Sequence, residues 1–154
     1  MATTNDKIFC DTNTIIRLNV LETPEHQQVK AAFDQLVNNK AELWISRQVI
    51  REFCAVLTRP QTFMKPPTSA VVSARVKTFL PIFHIADENA QVADRLLTLM
   101  ETIPVGGKQV HDANIAATMQ AYSIKRLFTL NPTDFTRFSQ FIDVMTLEDI
   151  LQDK

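Results

Sequence analysis

The chain has 154 residues, of which 45% are hydrophobic and 21% are charged, and its formal net charge is -1 at pH 7. This length fits one domain, and the composition argues against a disordered, collagen-like or coiled-coil chain. The charge argues against a simple basic surface that binds nucleic acid by neutralising its phosphates. We therefore expect a single globular domain over residues 1–154.

The glycine and cysteine content limits which kinds of binding site and which cellular compartment we expect. The 2 glycines are adjacent, at Gly106 and Gly107, so no glycine-rich loop is available for a dinucleotide or Walker-type phosphate site. Cys10 and Cys54 lie in apolar runs, which favours buried free thiols in a reducing compartment. The polar N-terminus and the lack of about 18 consecutive apolar residues argue against export and membrane insertion. The expected location is the cytoplasm.

The first predicted unit is a strand followed by helices. Residues 7–10 have the pattern of a short buried strand, and Asp11, Thr12 and Asn13 then supply residue types that favour turns and helix caps. Asp11 is therefore expected at the carboxyl end of a strand. Residues 25–37 have the spacing of an amphipathic helix.

A second unit follows. Residues 43–45 predict a short apolar strand, and Ser46 is a candidate cap for a helix that runs to about Arg59. Glu52 lies in the middle of this helix, beside its apolar stripe rather than within it. The stripe consists of Val49, Ile50, Phe53 and Leu57.

The middle of the chain predicts a loop and another strand–helix unit. Residues 61–67 carry two prolines, directly follow Pro60, and are interpreted as a mobile loop ahead of a helix over residues 69–79. Residues 82–85 predict a strand, and Asp87 is a candidate cap for the helix that follows it.

The last part of the chain repeats the alternation. An alanine-rich helix is expected to open at Asp112, and a strand is predicted over residues 127–129, with Asp134 in the connection after it. Residues 141–144 predict a strand, and a capped helix begins at Thr146. Short strands alternating with helices predict an α/β sandwich with a mainly parallel sheet.

Four carboxylates stand where apolar runs meet polar breaks: Asp11, Glu52, Asp112 and Asp134. Ligands of open α/β sheets gather beyond the carboxyl ends of the strands, where we expect the three aspartates, and Glu52 can reach that edge from its helix. Individually, each acid is equally explained as a cap, a turn residue or a solvated charge. If all four converge, their repulsion requires a cation, and oxygen ligands favour Mg²⁺ or Mn²⁺.

The order and surroundings of these acids resemble the PIN-domain ribonucleases, and within them the VapC-type toxins of bacterial toxin–antitoxin pairs. The resemblance spans nearly the whole chain and rests on four ordered segments. These are residues 8–13 (IFCDTN), 46–59 (containing VIREF), 110–117 (VHDANIAA) and 127–135 (LFTLNPTDF).

The resemblance implies a three-layer PIN-like α/β sandwich, with helices flanking a mainly parallel central sheet. It also implies an endoribonuclease that uses one or two Mg²⁺ or Mn²⁺ ions to hydrolyse RNA phosphodiesters with a metal-activated water. Asp11, Glu52 and Asp112 would be the principal catalytic metal ligands, and Asp134 would complete the site. The implied partners are an RNA substrate, an antitoxin protein and a second copy of the chain in a homodimer.

Other polar residues in the four segments are weaker candidates. Thr12, Asn13, Thr129 and Asn131 are expected to hold carboxylates or waters by hydrogen bonds, although the first two are equally explained as caps. His111, next to Asp112, is a candidate substrate contact, but a lone histidine is more often structural.

Phe63 and Lys65 form a candidate surface for stacking and pairing with single-stranded RNA, although a phenylalanine is more often part of a core.

Two alternatives stay open. One is a PIN-like module that binds RNA or protein without cutting, against which the four intact acids argue. The other is a metal-dependent phosphatase for small esters, with similar acids and a different pocket.

Overall fold

The computed structural model describes residues 6–60 and 65–152. The strands in these residues are β1 (Lys7–Cys10), β2 (Glu42–Ser46), β3 (His84–Ala86), β4 (Arg126–Phe128) and β5 (Asp143–Met145). The helices are α1 (Thr12–Asn19), α2 (His26–Asn38), α3 (Arg47–Thr58), α4 (Ser69–Phe79), α5 (Ala90–Thr102), α6 (Gln109–Ala121) and α7 (Leu147–Gln152). Single 3-10 segments occupy Leu80–Ile82 and Pro132–Phe138.

The described strands form one 5-stranded sheet in the order β3-β2-β1-β4-β5, and every neighbouring pair is parallel. The chain builds outward from β1 to β3 on one side and then crosses to β4 and β5 on the other. The carboxyl ends of β1 and β4 therefore flank the point where the strand order reverses. In open parallel sheets this is where ligands bind.

The core lies on both faces of this sheet. Phe9 and Cys10 are consecutive in β1 and point to opposite faces, yet both are fully buried. Leu127 and Phe128, their partners in β4, are also fully buried. Strands buried on both faces are typical of a parallel sheet covered by helices on each side. The predicted three-layer α/β sandwich with a parallel central sheet is confirmed.

The predicted elements are all present, and β1 and α4 have the predicted bounds. Two predicted helix starts are wrong. Asp87 does not cap α5: Asn89, the residue directly before the helix, accepts a hydrogen bond from the Val92 N–H, whereas Asp87 pairs with Arg47. Asp112 does not open α6, because the helix begins at Gln109 and leaves Asp112 inside its first turn.

Two predicted strands are shifted toward the C-terminus. β3 begins at His84 because the preceding residues form a 3-10 turn that contains Pro81, and β5 begins at Asp143. Residues 61–64 of the predicted loop, which include Phe63, lie outside the described residues. None of the helices in the described ranges is long and apolar enough to cross a membrane.

Candidate carboxylate site

Asp11 stands between β1 and α1 and is nearly buried, with 9% of its surface exposed. Its N–H extends the sheet by donating to the Phe128 carbonyl oxygen at 2.9 Å. Its extended backbone makes it the N-cap of α1, and its Oδ1 accepts a hydrogen bond from the Thr12 N–H at 2.8 Å. Asp11 therefore lies at the end of a strand, as predicted, and also caps the helix that follows.

The loop after β4 holds the other oxygen of Asp11. Thr129, which is fully buried, donates its hydroxyl to Asp11 Oδ2 at 2.8 Å and accepts the Asn131 N–H at 3.1 Å. Asn13 Nδ2 lies 3.4 Å from the same Asp11 oxygen, and Asn13 Oδ1 accepts the Leu130 N–H at 3.2 Å. These bonds hold the Asp11 carboxylate in one orientation between the ends of β1 and β4.

Glu52 reaches the site from α3. Val49 and Phe53 are fully buried, so the helix is fixed against the core and Glu52 lies half-buried at its edge, as predicted. Glu52 Oε1 accepts the Thr12 hydroxyl at 2.6 Å, and Oε2 accepts Gln48 Nε2 at 3.1 Å. Both oxygens are therefore anchored, while a carboxylate retains further lone pairs for a ligand.

The remaining acids come from the C-terminal half of the chain. Asp112 is half-buried in the first turn of α6, and Asp134 is exposed in the 3-10 segment after β4. Phe135 and Phe138, both fully buried, fix this segment to the core. The Asp134 N–H donates to the Asn131 carbonyl oxygen at 3.2 Å, which closes the turn that presents the acid.

All four acids line one open pocket of about 380 Å³ at the strand-order reversal. Of the other predicted polar residues, Thr12, Asn13 and Asn131 line the same pocket. Thr129 lies behind them and acts on Asp11 by its hydrogen bond. The folding of the chain therefore brings together the four carboxylates that the sequence separates by 123 positions, from 11 to 134.

The carboxylates of the site destabilise one another's ionised forms, which raises the pKa values of two of them. Burial raises the pKa of Asp11 from 3.8 to about 6, the hydrogen bonds from Thr129 and Thr12 oppose this rise, and the charges of Glu52 and Asp134 add to it. Burial and then the charges of Asp134, Asp11 and Glu52 raise the pKa of Asp112 to about 6.

The Arg137 guanidinium partly offsets this rise in the pKa of Asp112. Arg137 is itself held by the Pro104 carbonyl oxygen at 3.1 Å and by Gln109 Oε1 at 2.9 Å. Arg137 therefore places a positive charge near Asp112, but burial and the neighbouring carboxylates still keep the pKa of Asp112 raised.

The donor chemistry of the pocket fits a hard divalent cation. It offers carboxylate, hydroxyl and amide oxygens and no cysteine or histidine side chain, a set that suits Mg²⁺ or Mn²⁺ rather than zinc. A cation would also compensate the charge that burial and repulsion disfavour. Within residues 6–60 and 65–152, no three Asp, Glu, His or Cys side chains are already arranged as a metal-ligand set.

Sequence reasoning missed a polar network behind Glu52, formed by Gln48, Asn114 and Glu88. Gln48 is buried, with 4% of its surface exposed, and bonds to Asn114, which in turn bonds to Glu88. Two signals were available. Gln48 lies one helical turn before Glu52 on the same face, and Glu88 follows β3 at the carboxyl edge where ligand-binding residues gather. The side chain of His111 is exposed, and its backbone oxygen joins this network.

Comparison with known proteins finds relatives in sequence and in fold. Ribonuclease VapC24 of Mycobacterium tuberculosis is 26% identical over 129 residues, which are 83% of this chain and 88% of that protein. The structure of Mycobacterium tuberculosis VapC20, described as a sarcin-ricin loop cleaving toxin, has a TM-score of 0.64 and 14% identity, covering 88% of this chain and 96% of that one. A toxin-antitoxin complex from Klebsiella pneumoniae has a TM-score of 0.63 and 21% identity, covering 91% and 97%.

Because the identities to the solved structures are low, these similarities show only that the backbone fold is shared. The family is shown by a match of the sequence to a family model. The family model described as PIN domain matches residues 8–140, a span that begins in β1 and ends just after the 3-10 segment that carries Asp134. It therefore includes all four carboxylates of the pocket. The chain belongs to the PIN domain family.

Proposed function

We propose that this protein is a metal-dependent endoribonuclease that hydrolyses RNA phosphodiesters, and that it is the toxin of a toxin–antitoxin pair. One observation carries the proposal: the acids of four ordered sequence segments line a single pocket where the strand order reverses. The family membership supports it, and so does the likeness to a protein named as a ribonuclease.

In this proposal Asp11, Glu52, Asp112 and Asp134 hold one or two Mg²⁺ or Mn²⁺ ions. A bound ion would supply a water of lowered pKa and would stabilise the charge that develops on the phosphoryl oxygens. Asp11 and Glu52 are ready to serve as ligands because their oxygens are oriented by hydrogen bonds. Asp134 is exposed and lines the same pocket, where it could orient an attacking water toward the phosphorus atom.

Thr129 and Asn13 would act through Asp11. Thr129 donates to the carboxylate oxygen, so it favours the ionised form that a metal needs, and Asn13 fixes the β4 loop to the same oxygen. Asn131 lines the pocket and positions Thr129 through its N–H. These are positioning roles, as predicted for side chains next to metal ligands.

The proposal is tested by incubating purified protein with RNA in the presence of Mg²⁺ or Mn²⁺, with and without EDTA. We expect cleavage that EDTA abolishes. Asp112→Asn should reduce the cleavage rate about 100-fold or more, because the lost charge stabilisation amounts to several kcal/mol. The matched control is Asp143→Asn, which changes an exposed aspartate at the amino end of β5, at the opposite edge of the sheet. Cleavage that resists EDTA or survives Asp112→Asn would refute the proposed site.

The same experiment separates the alternatives. RNA that is bound but not cut, together with no metal binding in calorimetry, would indicate a non-catalytic module. Release of phosphate from small esters without RNA cleavage would indicate a phosphatase. The homodimer stays a prediction, which is checked by the molecular mass in light scattering. An antitoxin partner is supported by the toxin-antitoxin complex among the structural neighbours.

A further inference from the structure

We propose that Gln48 is a positioning residue, which orients the Glu52 carboxylate and couples its helix to the helix that carries Asp112. The proposal rests on the proposed function, because it concerns the same metal site. It assigns a role to Gln48, Asn114 and Glu88, which form a chain of hydrogen bonds leading from a surface loop to Glu52.

Gln48 uses its whole side-chain amide in this network. Nε2 donates to Glu52 Oε2 at 3.1 Å and to the His111 carbonyl oxygen at 3.0 Å, while Oε1 accepts Asn114 Nδ2 at 2.8 Å. Because the side chain is 4% exposed, these groups cannot exchange their partners for bulk water. A buried amide left without partners is unfavourable, so this arrangement of the amide is strongly preferred.

The direction of the amide follows from the other members. Asn114 Nδ2 faces two acceptors, Gln48 Oε1 at 2.8 Å and Glu88 Oε1 at 3.0 Å, so it must be the donor of both bonds. Glu88 can only accept, which fixes the orientation of Asn114, and Asn114 then fixes Gln48. A reversed Gln48 amide would direct its oxygen toward the Glu52 carboxylate and the His111 carbonyl, two repulsive contacts.

Glu88 is itself anchored to the helix that bears Glu52. Its Oε2 accepts the Gln48 backbone N–H at 2.6 Å, and Arg51 lies 3.7 Å from its Oε1. Ser46, the N-cap residue of α3, makes no side-chain capping bond, and its Oγ is without a partner among the described buried side-chain oxygens. Glu88 therefore replaces Ser46 as the cap of α3, which explains why a carboxylate stands at this position.

The network links two of the four acids. Gln48 holds Glu52 with one N–H and the first turn of α6 with the other, through the carbonyl oxygen of the residue directly before Asp112. Without these bonds, Glu52 would keep only its bond from Thr12 and would sample more rotamers. A cation would then have to order the carboxylate as it binds, which weakens its affinity.

The test compares Gln48→Met, which conserves volume and removes both donors, with wild type in Mn²⁺ binding by electron paramagnetic resonance and in RNA cleavage. We expect Mn²⁺ affinity to fall about 10- to 100-fold, the range found for partners that orient metal ligands. In a Glu52→Gln background, the effect of Gln48→Met on Mn²⁺ affinity should be clearly smaller, because the part of the effect that acts through Glu52 is already lost. Thr23→Val is the control, since it removes one buried hydrogen bond outside the network.

A second variant tests the same network by reversing its hydrogen-bond direction. The variant combines Glu88→Gln with Asn114→Asp, which leaves the net charge unchanged. The carboxylate at position 114 can only accept hydrogen bonds, so the amide nitrogen of Gln48 should turn toward it and away from Glu52. We expect weaker Mn²⁺ binding here too. Because one carboxylate is removed and one is added, weaker binding cannot arise from a change in net charge.

The inference is overturned if Gln48→Met binds Mn²⁺ like wild type, if its effect persists undiminished in the Glu52→Gln background, or if Thr23→Val reproduces it. A failure of the proposed function is recognised separately, because wild type itself would then neither bind Mn²⁺ nor cut RNA, which overturns both proposals.

Discussion

Replacing Asp11 by asparagine should remove much of the pH dependence of folding stability in the metal-free protein. Burial raises the pKa of Asp11 from 3.8 to about 6 in the folded state. In the unfolded chain this group ionises near its ordinary pKa, so between these two values the folded protein holds a proton that the unfolded chain has lost. The free energy of unfolding therefore falls as the pH rises through this window.

The size of the effect follows from the two pKa values of Asp11. The stability that the protonated group contributes is complete below pH 3.8 and is lost once the pH exceeds about 6. The full loss corresponds to about 3 kcal/mol, of which about 1 kcal/mol falls between about pH 5 and about pH 7. Asp112, whose pKa is also raised, changes stability in the same direction. Since the Asp11 charge contributes to that rise, Asp11→Asn should weaken both effects.

The assay is urea unfolding followed by circular dichroism in EDTA, at about pH 5 and about pH 7. We expect wild type to be less stable at the higher pH, and Asp11→Asn to lose about 1 kcal/mol of that difference. The difference between the two pH values is the relevant quantity, because changed hydrogen bonds to the asparagine amide affect both equally. Asp143→Asn, on the opposite edge of the sheet, should behave like wild type.

Metal should reverse the pH trend. Because carboxylate ligands must be deprotonated, Mg²⁺ is expected to stabilise wild type more at the higher pH and to have little effect on Asp11→Asn. If metal-free wild type is more stable at about pH 7 than at about pH 5, or if Asp11→Asn keeps the full pH dependence, the account of the Asp11 charge is refuted.

Two further substitutions test contacts around the site and away from it. Thr129→Val keeps the shape of a fully buried side chain but removes the donor to Asp11 and the acceptor of the Asn131 N–H, so we expect a loss of about 1–3 kcal/mol in urea unfolding. An unchanged midpoint would contradict this. Thr146→Ala removes the reciprocal bonds between Thr146 and Asp149 that cap α7 and should cost about 1 kcal/mol while RNA cleavage stays at the wild-type rate. Loss of cleavage with native stability would argue against this purely structural role.

Local sequence patterns predicted the presence of the elements and placed the four acids at or near their borders. Strand β1 and helix α4 have the predicted bounds because apolar runs and helical spacing are properties of consecutive residues. Asp11 could be placed from the sequence, since an acid directly after a buried strand lies at the carboxyl edge of the sheet whatever the topology. The start of α6 was missed, because Gly106, Gly107 and Lys108 form turns with hydrogen bonds that continue into the helix.

The sequence by itself determined that four carboxylates are presented near the borders of packed elements, since burial of the neighbouring apolar residues leaves them no other place. Only the tertiary structure decided which carboxylate oxygens accept hydrogen bonds and which side chains donate them. The Thr12–Glu52 bond and the network of Gln48, Asn114 and Glu88 join residues 26 to 66 positions apart. Such contacts depend on how α3, α6 and the loop after β3 pack together, and periodicity along the chain carries no information about that packing.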